Sequence, residues 1–503
     1  MSDRQQGRAD GRKVRVVVIG AGASGLCMGH ALDAAGIRDW TIYEKGHDLG
    51  GTWRDNCYPG LSCDVPSRFY TFSFAPNPAY RSMYASGAQI KAYMDDVADR
   101  FGLRDRIRLG EEVTSARWSD GRWQLRTSAG TEDVADVLVS ATGFLHHPHI
   151  PDLPGLPDFE GAAFHSARWD HSVPLDGARI GVVGTGSTGV QIVSALGPRA
   201  SRLVVFQRTA QWVLPLPNFR FSRLTRWLHR HVPALGRRSY RLWQGMWEHL
   251  FAPAVVRPGW QRSFLSTACR LNLRFGVRDP ELRRKVTPDY QPLCKRLVMS
   301  AGFYPVLQRP NVDVETEAIE RIEPRGVRMR DGRFHELDVL VFATGFDARA
   351  FMRPMELVGE GGLSIDEAWA GGPRAYNTVA VPGFPNFFML CGPHSPIGNQ
   401  SILSVAESQS AYIVSWIRRL EEQGLPAVAP TAQATRRFNE SMREAYPGTV
   451  WVTGCRSWYL GADGLPELWP WTPERHRELM STVTPEDFEV HGPAAEEALT
   501  PPG

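Results

Sequence analysis

The segment Val16-Val17-Val18-Ile19-Gly20-Ala21-Gly22-Ala23-Ser24-Gly25 is an apolar strand that runs directly into a GxGxxG turn and an alanine-rich helix. Glycine has no Cβ, so the backbone of such a turn can approach a pyrophosphate closely, and the helix N-terminus adds free N–H groups. The next predicted strand, 41–44, ends in Glu44, 24 residues after Gly20. A carboxylate at this point accepts hydrogen bonds from ribose hydroxyls. The segment therefore predicts a Rossmann-like domain for a dinucleotide with a free ribose 2′-OH, most simply FAD, bound by Gly20, Gly22, Ser24, Gly25 and Glu44.

A second glycine fingerprint is Ile180-Gly181-Val182-Val183-Gly184-Thr185-Gly186-Ser187-Thr188-Gly189. Its following strand, 204–207, is succeeded by Arg208, again 24 residues after the first glycine of the motif. A guanidinium in place of the carboxylate suits a 2′-phosphate. A single GxGxxG also occurs as an ordinary strand-to-helix turn, but here two copies each follow an apolar run and precede a helix and a second strand. The second copy therefore predicts NADPH, bound by Gly184, Gly186, Ser187, Thr188, Gly189 and Arg208.

Length and composition indicate a large soluble enzyme. A chain of 503 residues with 43% hydrophobic residues is long enough for two or three domains with their own cores. The net charge of +3 is too small to indicate a nucleic-acid partner. The polar stretch 1–15 lacks the apolar region of a signal peptide, and no run of 18 apolar residues predicts a transmembrane segment. We therefore expect a cytoplasmic protein, and the sequence leaves its oligomeric state open.

The cysteines and histidines predict neither a disulfide framework nor a metal site. The seven cysteines are an odd number and contain no CxxC pair, which is typical of reduced thiols in a cytosolic protein; they are Cys27, Cys57, Cys63, Cys269, Cys294, Cys391 and Cys455. The fourteen histidines are scattered along the chain. We expect no bound metal.

The domain order follows from two near-identical strand ends. Strand signals alternate with helical ones from residue 14 to about 215, as in a parallel α/β sheet. Segments 136–143 and 338–345 each read as a buried strand ending in Ala-Thr-Gly, which carries the chain from one nucleotide domain to the other. The sequence predicts an α/β fold of two Rossmann-like dinucleotide-binding domains, for FAD and NADP, with the NADP half inserted within the FAD half and a helical insertion. The predicted segments are a disordered tail 1–13, FAD-binding 14–150, NADP-binding 151–216, helical insertion 217–289, NADP-binding 290–346, FAD-binding 347–490 and a disordered tail 491–503.

The helical insertion 217–289 is rich in tryptophan and arginine. Apolar positions fall at helical spacing while arginines occupy other faces, as shown by Leu224, Trp227 and Leu228 against Arg223, Arg226 and Arg230. A basic amphipathic helix of this kind can contact a membrane surface or a partner. The plainer alternative is a helical insertion with a solvated basic face.

Two further motifs decide among the flavin enzymes that use NADPH. A disulfide reductase is set aside because the chain has no redox-active CxxC or CxxxxC pair. Segment 159–169, with Phe159, Gly161, His165 and Trp169, has the pattern FxGxxxHxxxW, and segment 50–64 has the pattern GGxWxxxxYPGxxxD. Both patterns resemble the signatures of Baeyer–Villiger monooxygenases, the class B flavoprotein monooxygenases, and the resemblance extends from Val14 to about Trp471. Asp170 departs from the proline that many members have after the tryptophan.

The resemblance implies an activity and its cofactors. It implies that NADPH reduces FAD, that O₂ adds to the flavin C4a position, and that the resulting peroxide attacks a small-molecule ketone to give an ester or lactone. Flavin-containing N- and S-oxygenases share both fingerprints but carry Tyr or Phe where this chain has Trp169, so oxidation of amines or thioethers is the alternative activity. A catalytically idle dinucleotide-binding sensor is a further alternative, which intact fingerprints argue against.

The same resemblance assigns roles to individual residues. It places Arg296 of Cys-Lys-Arg over the flavin ring as the catalytic cation, with Asp64 hydrogen-bonded to it; arginine suits this task because it stays protonated and offers a planar fork. It implies that Lys295 and Thr209 join Arg208 around the 2′-phosphate. The four residues Phe159, Gly161, His165 and Trp169 form the signature, with His165 at the hinge between domains. Gly51, Thr52, Trp53 and Tyr58 are expected near the flavin, and Trp458 in a mobile loop over NADP and substrate.

Overall fold

The structure is a computed structural model that describes residues 13–455, 460–461 and 463–491. Its strands are β1 (Val16–Ile19), β2 (Trp40–Glu44), β3 (Ile107–Leu109), β4 (Val113–Ser119), β5 (Arg122–Thr127), β6 (Glu132–Ala135), β7 (Val137–Ser140), β8 (Ala162–His165), β9 (Arg179–Val183), β10 (Arg202–Phe206), β11 (Val213–Leu214), β12 (Val298–Met299), β13 (Val312–Glu315), β14 (Ile319–Glu323), β15 (Gly326–Met329), β16 (Phe334–Glu336), β17 (Val339–Phe342), β18 (Glu356–Val358), β19 (Phe387–Met389), β20 (Ala427–Pro430) and β21 (Phe488–His491). Its α-helices are α1 (Ala23–Ala34), α2 (Thr52–Asp55), α3 (Gly87–Arg100), α4 (Ser187–Leu196), α5 (Arg223–His231), α6 (Pro233–Met246), α7 (Ala252–Val256), α8 (Trp260–Gly276), α9 (Pro280–Lys285), α10 (Phe303–Leu307), α11 (Ile365–Ala368), α12 (Ile402–Gln423), α13 (Ala432–Ala445) and α14 (Pro473–Ser481).

The first fingerprint strand lies at the centre of a five-stranded parallel sheet. The strand order is β19-β7-β1-β2-β3. In register, Val16 of β1 pairs with Trp40 of β2 on one side and with Val137 of β7 on the other. Every residue of β1 and β7 is buried, because a parallel sheet covered by helices on both faces requires continuously apolar strands. The helices α1 and α12 pack against each other beside this sheet.

The second fingerprint strand occupies the equivalent place in another five-stranded parallel sheet. The order there is β13-β10-β9-β17-β8. Strand β17, which precedes the second Ala-Thr-Gly, pairs with β9 as β7 pairs with β1 in the first sheet. The two near-copies in the sequence are therefore two copies of the same structural position. Each places its Ala-Thr-Gly turn beside the first glycine of a fingerprint.

The chain returns to the first sheet after the second one is complete. Strand β19 pairs with β7, and β18 pairs with β4 in a second sheet of order β18-β4-β5-β6. A small antiparallel sheet, β14-β15-β16, precedes β17. The segment between β11 and β12 contains the helices α5 to α9 and a π-helical turn at Trp247–Phe251. Among the residues that the structure describes, no helix is both long and apolar enough to cross a membrane.

One cysteine pair corrects the expectation that all seven thiols are reduced. Cys294 and Cys455 form a disulfide, with their Cα atoms 6.1 Å apart although 161 positions separate them in the sequence. Spacing along the chain could not show this, because the two residues meet only through the tertiary fold. The other five cysteines are free, as expected, and of these only Cys57 is exposed.

Candidate active site

Both glycine fingerprints open onto one cavity. Its volume is about 1020 Å³. Most of the predicted cofactor residues line it, together with Arg296 and Asp64; those lining residues are Gly20, Gly22, Ser24, Glu44, Gly51, Thr52, Trp53, Tyr58, Gly184, Gly186, Ser187, Thr188, Arg208, Thr209 and Lys295. The third glycine of each fingerprint, Gly25 and Gly189, does not line the cavity. The cavity therefore joins the two predicted dinucleotide sites to the predicted catalytic pair.

The glycines of the first fingerprint pack as a dinucleotide turn requires. Gly20 has φ +104°, and a Cβ on it would lie 2.8 Å from the carbonyl oxygen of Ala141 in the first Ala-Thr-Gly. A Cβ on Gly25 would lie 1.9 Å from the carbonyl oxygen of Gly20. Gly22 instead faces Gly51 of the GGxW motif, and Gly51 has φ +51°. The two motifs therefore contact each other through backbone atoms without side chains between them. These residues fit a pyrophosphate held at the N-terminus of α1.

Glu44 is held in place by three donors from the protein. Its Oε2 accepts the N–H of Ala21 at 2.8 Å, and its Oε1 accepts the N–H of Gly46 at 2.8 Å and Nη1 of Arg54 at 2.7 Å. A carboxylate has about four lone-pair sites, so the fixed Glu44 keeps acceptor capacity for a ribose hydroxyl. Sequence reasoning missed Arg54, which occupies an undefined position of the GGxWxxxxYPGxxxD pattern.

Two cations meet at the end of the second fingerprint. Arg208 follows β10. Burial lowers the pKa of Lys295 and the positive charge of Arg208 adds to this effect, while the carboxylate of Asp289 acts in the opposite direction. The ammonium of Lys295 also lies 4.7 Å from the ring centroid of Tyr290. Two like charges brought this close, without a carboxylate bonded to either in the described part of the chain, are arranged to receive an anion. Thr209 closes the same corner, its carbonyl accepting the hydroxyl of Thr185 at 2.7 Å.

Arg296 and Asp64 form a two-point ion pair in the cavity. Nε of Arg296 donates to one carboxylate oxygen at 2.9 Å and Nη2 to the other at 2.8 Å. The Arg296 side chain is 44% exposed and that of Asp64 is 16% exposed. The carboxylate thus orients a guanidinium whose remaining surface faces the cavity, as the fork-to-fork geometry allows. The backbone of Arg296 is fixed separately, because its carbonyl accepts Nε2 of Gln211 at 2.6 Å.

The YPGxxxD segment is bonded to the helix of the second fingerprint. The Tyr58 hydroxyl donates to Oε1 of Gln191 in α4 at 3.0 Å, and Nε2 of Gln191 donates to the carbonyl of Ser62 at 2.9 Å. A Cβ on Gly60 would lie 2.6 Å from the Gln191 carbonyl oxygen. Glycine at this position therefore permits close contact between the segment that carries Asp64 and the helix α4. Nothing in the sequence motifs pointed to Gln191.

The FxGxxxHxxxW residues lie behind the cavity wall and do not line it. His165 ends β8, where its Nδ1 accepts the N–H of Ala167 at 3.1 Å and burial lowers its pKa. Trp169 is buried and packs edge-to-face on Phe164, with ring centroids 5.0 Å apart. A Cβ on Gly161 would lie 2.4 Å from the Asp338 carbonyl oxygen and 2.7 Å from the ring of Phe159. The motif therefore packs the strand pair β8–β17 next to the second Ala-Thr-Gly.

Three further sequence predictions concern the margins of the site. Trp53 lines the cavity and donates its indole N–H to the hydroxyl of Tyr70 at 3.0 Å. Trp458 lies outside the described residues. Within the described residues, no group of three or more His, Cys, Asp or Glu side chains has a metal-binding arrangement.

Comparison with known proteins decides the family. The family model "Flavin-binding monooxygenase-like" matches residues 13–218. A Baeyer–Villiger monooxygenase from Streptomyces coelicolor is 40% identical over 486 residues, which cover 96% of this chain and 93% of the relative. The chain belongs to the Baeyer–Villiger monooxygenases. A monooxygenase from Mycobacterium tuberculosis is 53% identical over 98% of this chain and 99% of its own. The cyclohexanone monooxygenase of Rhodococcus sp. Phi1, bound to NADP⁺, is 30% identical with a TM-score of 0.84, covering 95% of this chain and 99% of the other.

Family membership settles the coarse predictions. The α/β fold with two dinucleotide-binding domains, the flavin-dependent Baeyer–Villiger monooxygenase activity and the use of FAD and NADPH are confirmed. Oxidation of amines or thioethers as the main activity is not favoured. The domain boundaries and the roles of individual residues remain predictions, to which the geometry above adds Arg54 and Gln191.

Proposed function

We propose that this Baeyer–Villiger monooxygenase converts an apolar ketone into an ester or lactone at the guanidinium of Arg296. The observation that carries the proposal is the Arg296–Asp64 ion pair, which lies in a cavity that both dinucleotide fingerprints line. The residues expected to bind a flavin, those expected to bind a nicotinamide coenzyme and the fixed cation Arg296 therefore line the same cavity.

The residues around each fingerprint hold one cofactor. Gly20 and Gly22 leave room for the FAD pyrophosphate, and Glu44 accepts a ribose hydroxyl. Arg208 and Lys295 bind the 2′-phosphate of NADPH, as their mutual repulsion is relieved by an anion. When bound, the reduced flavin supplies the activation of O₂ that gives the reaction its oxygen atom.

Arg296 stabilises negative charge at the reacting carbonyl. The ketone oxygen gains negative charge as its carbon is attacked, and a preorganised cation beside that oxygen lowers the barrier more than it favours the neutral substrate. Asp64 acts as a positioning residue, because it holds two N–H groups of Arg296 and so fixes the direction in which the others point. Arginine keeps its charge throughout, so the site needs no proton to be taken up.

The cavity lining indicates the kind of ketone. Its apolar members include Phe144, Leu145, Met352, Met355, Ile397 and Ile402. Unbranched methionine side chains adapt to irregular shapes, so this wall suits a hydrocarbon skeleton better than a polar one. Solved structures of relatives include a cyclohexanone monooxygenase bound to cyclohexanone and a steroid monooxygenase bound to NADP. We therefore propose that the substrate of this enzyme is a cyclic or aryl ketone.

The remaining roles belong to the same proposal. Phe159, Gly161, His165 and Trp169 support the junction between the sheets instead of the chemistry, because they pack behind the cavity wall. The buried His165 is neutral near pH 7, since its Nδ1 accepts a hydrogen bond and its pKa is lowered. The predicted domain boundaries and a cytoplasmic location, where NADPH is supplied, complete the proposal.

Turnover under ¹⁸O₂ tests the activity. The purified FAD-loaded enzyme is given NADPH and a panel of cyclic and aryl ketones, sulfides and amines, and the products are analysed by mass. We expect a lactone or ester that carries one ¹⁸O atom. Oxidation of sulfides or amines alone, with every ketone unchanged, would contradict the proposal.

A further inference from the structure

The helical insertion exposes an apolar stripe that no part of the described chain covers. On α8, Trp260, Phe264, Leu271 and Phe275 are 68%, 56%, 46% and 72% exposed. At 3.6 residues per turn these four positions fall within a sector of about 60° on one side of the helix. The opposite side packs into the core through Leu265, Ser266, Cys269 and Leu273. Large apolar residues aligned in this way on the surface of a soluble protein mark a contact site.

The neighbouring helices expose the same kind of surface. On α5, Leu224 and Trp227 are each more than half exposed, and Trp227 stacks on His231 with ring centroids 4.6 Å apart. On α6, Leu242 and Met246 are exposed one turn apart, on the side away from the buried Tyr240. Helix α5 packs against α6, and α8 packs against the π-helical turn that follows α6. We name the exposed faces of α5, α6 and α8 the aromatic–arginine surface.

The charge of residues 217–278, which form most of the insertion, is almost entirely positive. Between residues 217 and 278 there are twelve arginines and one carboxylate; the arginines are Arg220, Arg223, Arg226, Arg230, Arg237, Arg238, Arg241, Arg257, Arg262, Arg270, Arg274 and Arg278. The carboxylate, Glu248, is buried and paired with Arg477. Asp279 and Glu281 come next along the chain, where Asp279 caps α9. The whole chain has a net charge of only +3, so the positive charge is concentrated here.

We propose that the aromatic–arginine surface binds the anionic face of a lipid bilayer. Helices that lie in a membrane interface typically carry tryptophan, phenylalanine and leucine on one side and arginines beside them, as the aromatic–arginine surface does. Guanidinium groups bind lipid phosphates in two-point fashion, while the aromatic rings enter the acyl boundary. A second copy of the chain is a poor occupant, because it would place arginines against arginines. The enzyme would then draw an apolar ketone from the bilayer in which such molecules concentrate.

Vesicle flotation of the FAD-loaded holoenzyme tests this proposal. The vesicles are phosphatidylcholine alone or phosphatidylcholine with phosphatidylglycerol, at low and at high salt. We expect flotation with the anionic vesicles only, weakened by salt because charge screening acts on the arginine contacts. Replacing Arg223, Arg230 and Arg237 by Gln should lower the partition coefficient onto anionic vesicles by about fivefold per arginine. The control replaces Arg38, Arg126 and Arg436 by Gln, three exposed arginines outside the insertion.

A second variant tests the apolar stripe. Changing Trp260, Phe264 and Phe275 to Ser should abolish flotation, whereas the control changes Leu109, Ile150 and Val490, also exposed, to Ser and should retain it. Flavin absorbance and NADPH oxidation report that each variant is folded. The proposal is overturned if the wild-type holoenzyme fails to float with anionic vesicles. It is also overturned if the arginine variant and the apolar-stripe variant each bind as well as their control variants. It is equally overturned if light scattering shows a wild-type dimer that the stripe variant dissociates, since a second copy would then be the occupant.

Discussion

Replacing Arg208 by Ala should convert a strong preference for NADPH into a weak one. Arg208 and Lys295 share one corner of the cavity, so a bound 2′-phosphate meets two cations. A charge-assisted hydrogen bond contributes about 1.5–3 kcal/mol, or roughly tenfold to 150-fold in affinity. Lys295 remains at the site in the Arg208 variant and retains part of the phosphate binding. We therefore expect the Michaelis constant for NADPH to rise by the lower part of that range.

NADH, which has no 2′-phosphate, provides the internal reference. Initial rates of oxidation of both coenzymes are measured for the wild type, Arg208→Ala and Arg202→Ala. Arg202 begins the same strand, β10, and pairs with Asp313 on the surface, so its loss should change neither constant by more than about twofold. The Arg208 variant should use NADH almost as the wild type does. Equal losses with both coenzymes would show that Arg208 supports the fold and does not read the phosphate.

Three further predictions address the catalytic pair, the glycine turn and the core. Arg296→Ala should still bind FAD and be reduced by NADPH, but its rate of ester formation should fall by about 10²–10³ while hydrogen peroxide is released. Asp64→Ala should change both in the same direction but less. Anaerobic stopped-flow reduction followed by product analysis in air measures both variants, and ester formation by Arg296→Ala at the wild-type rate would contradict the prediction. Gly189→Ala places a Cβ 2.1 Å from the Gly184 carbonyl oxygen and should cost about 1–3 kcal/mol of unfolding free energy. A Cβ on Gly186 has no atom within 4 Å, so Gly186→Ala should keep the wild-type stability and lose affinity for NADPH. Denaturant unfolding and coenzyme titration distinguish the two variants, and equal stabilities of Gly186→Ala and Gly189→Ala would contradict this packing. Burial raises the pKa of Glu407 to about 7, above its usual value of 4.5, so the folded state holds this proton more tightly than the unfolded state. The free energy of unfolding should therefore fall as pH rises from about 5 to 8, by up to about 3 kcal/mol. In urea unfolding, Glu407→Gln should reduce this dependence on pH, and an unchanged dependence would refute the prediction.

The sequence predicted the parts of the site that are local in the chain. A glycine fingerprint and the residue that ends the next strand lie within one βαβ unit, so Glu44 and Arg208 occupy the cavity edge as expected. The resemblance also placed Asp64 opposite Arg296, which the two-point ion pair reproduces.

Features that depend on tertiary contact were beyond the sequence. Arg54 reaches Glu44 past Gly46, where a Cβ would lie 2.0 Å from the guanidinium in its present position. Gln191 lies in a helix whose fingerprint is defined by glycines, and its partners Tyr58 and Ser62 lie 133 and 129 positions earlier in the chain. The disulfide between Cys294 and Cys455 was wrongly excluded for the same reason, since no short spacing announces a pair so far apart in the sequence.

The bonds of Gln191 make the coenzyme helix and the Asp64 segment a single mechanical unit. Gln191 holds Tyr58 and Ser62, and Asp64, two positions further on, holds the guanidinium of Arg296. Any displacement of α4 would therefore also displace the segment that carries Asp64, and with it the carboxylate that orients the Arg296 guanidinium. The position of the coenzyme helix and the direction of the Arg296 charge are thereby linked through the hydrogen bonds of Gln191, the backbone from Ser62 to Asp64 and the Arg296–Asp64 ion pair.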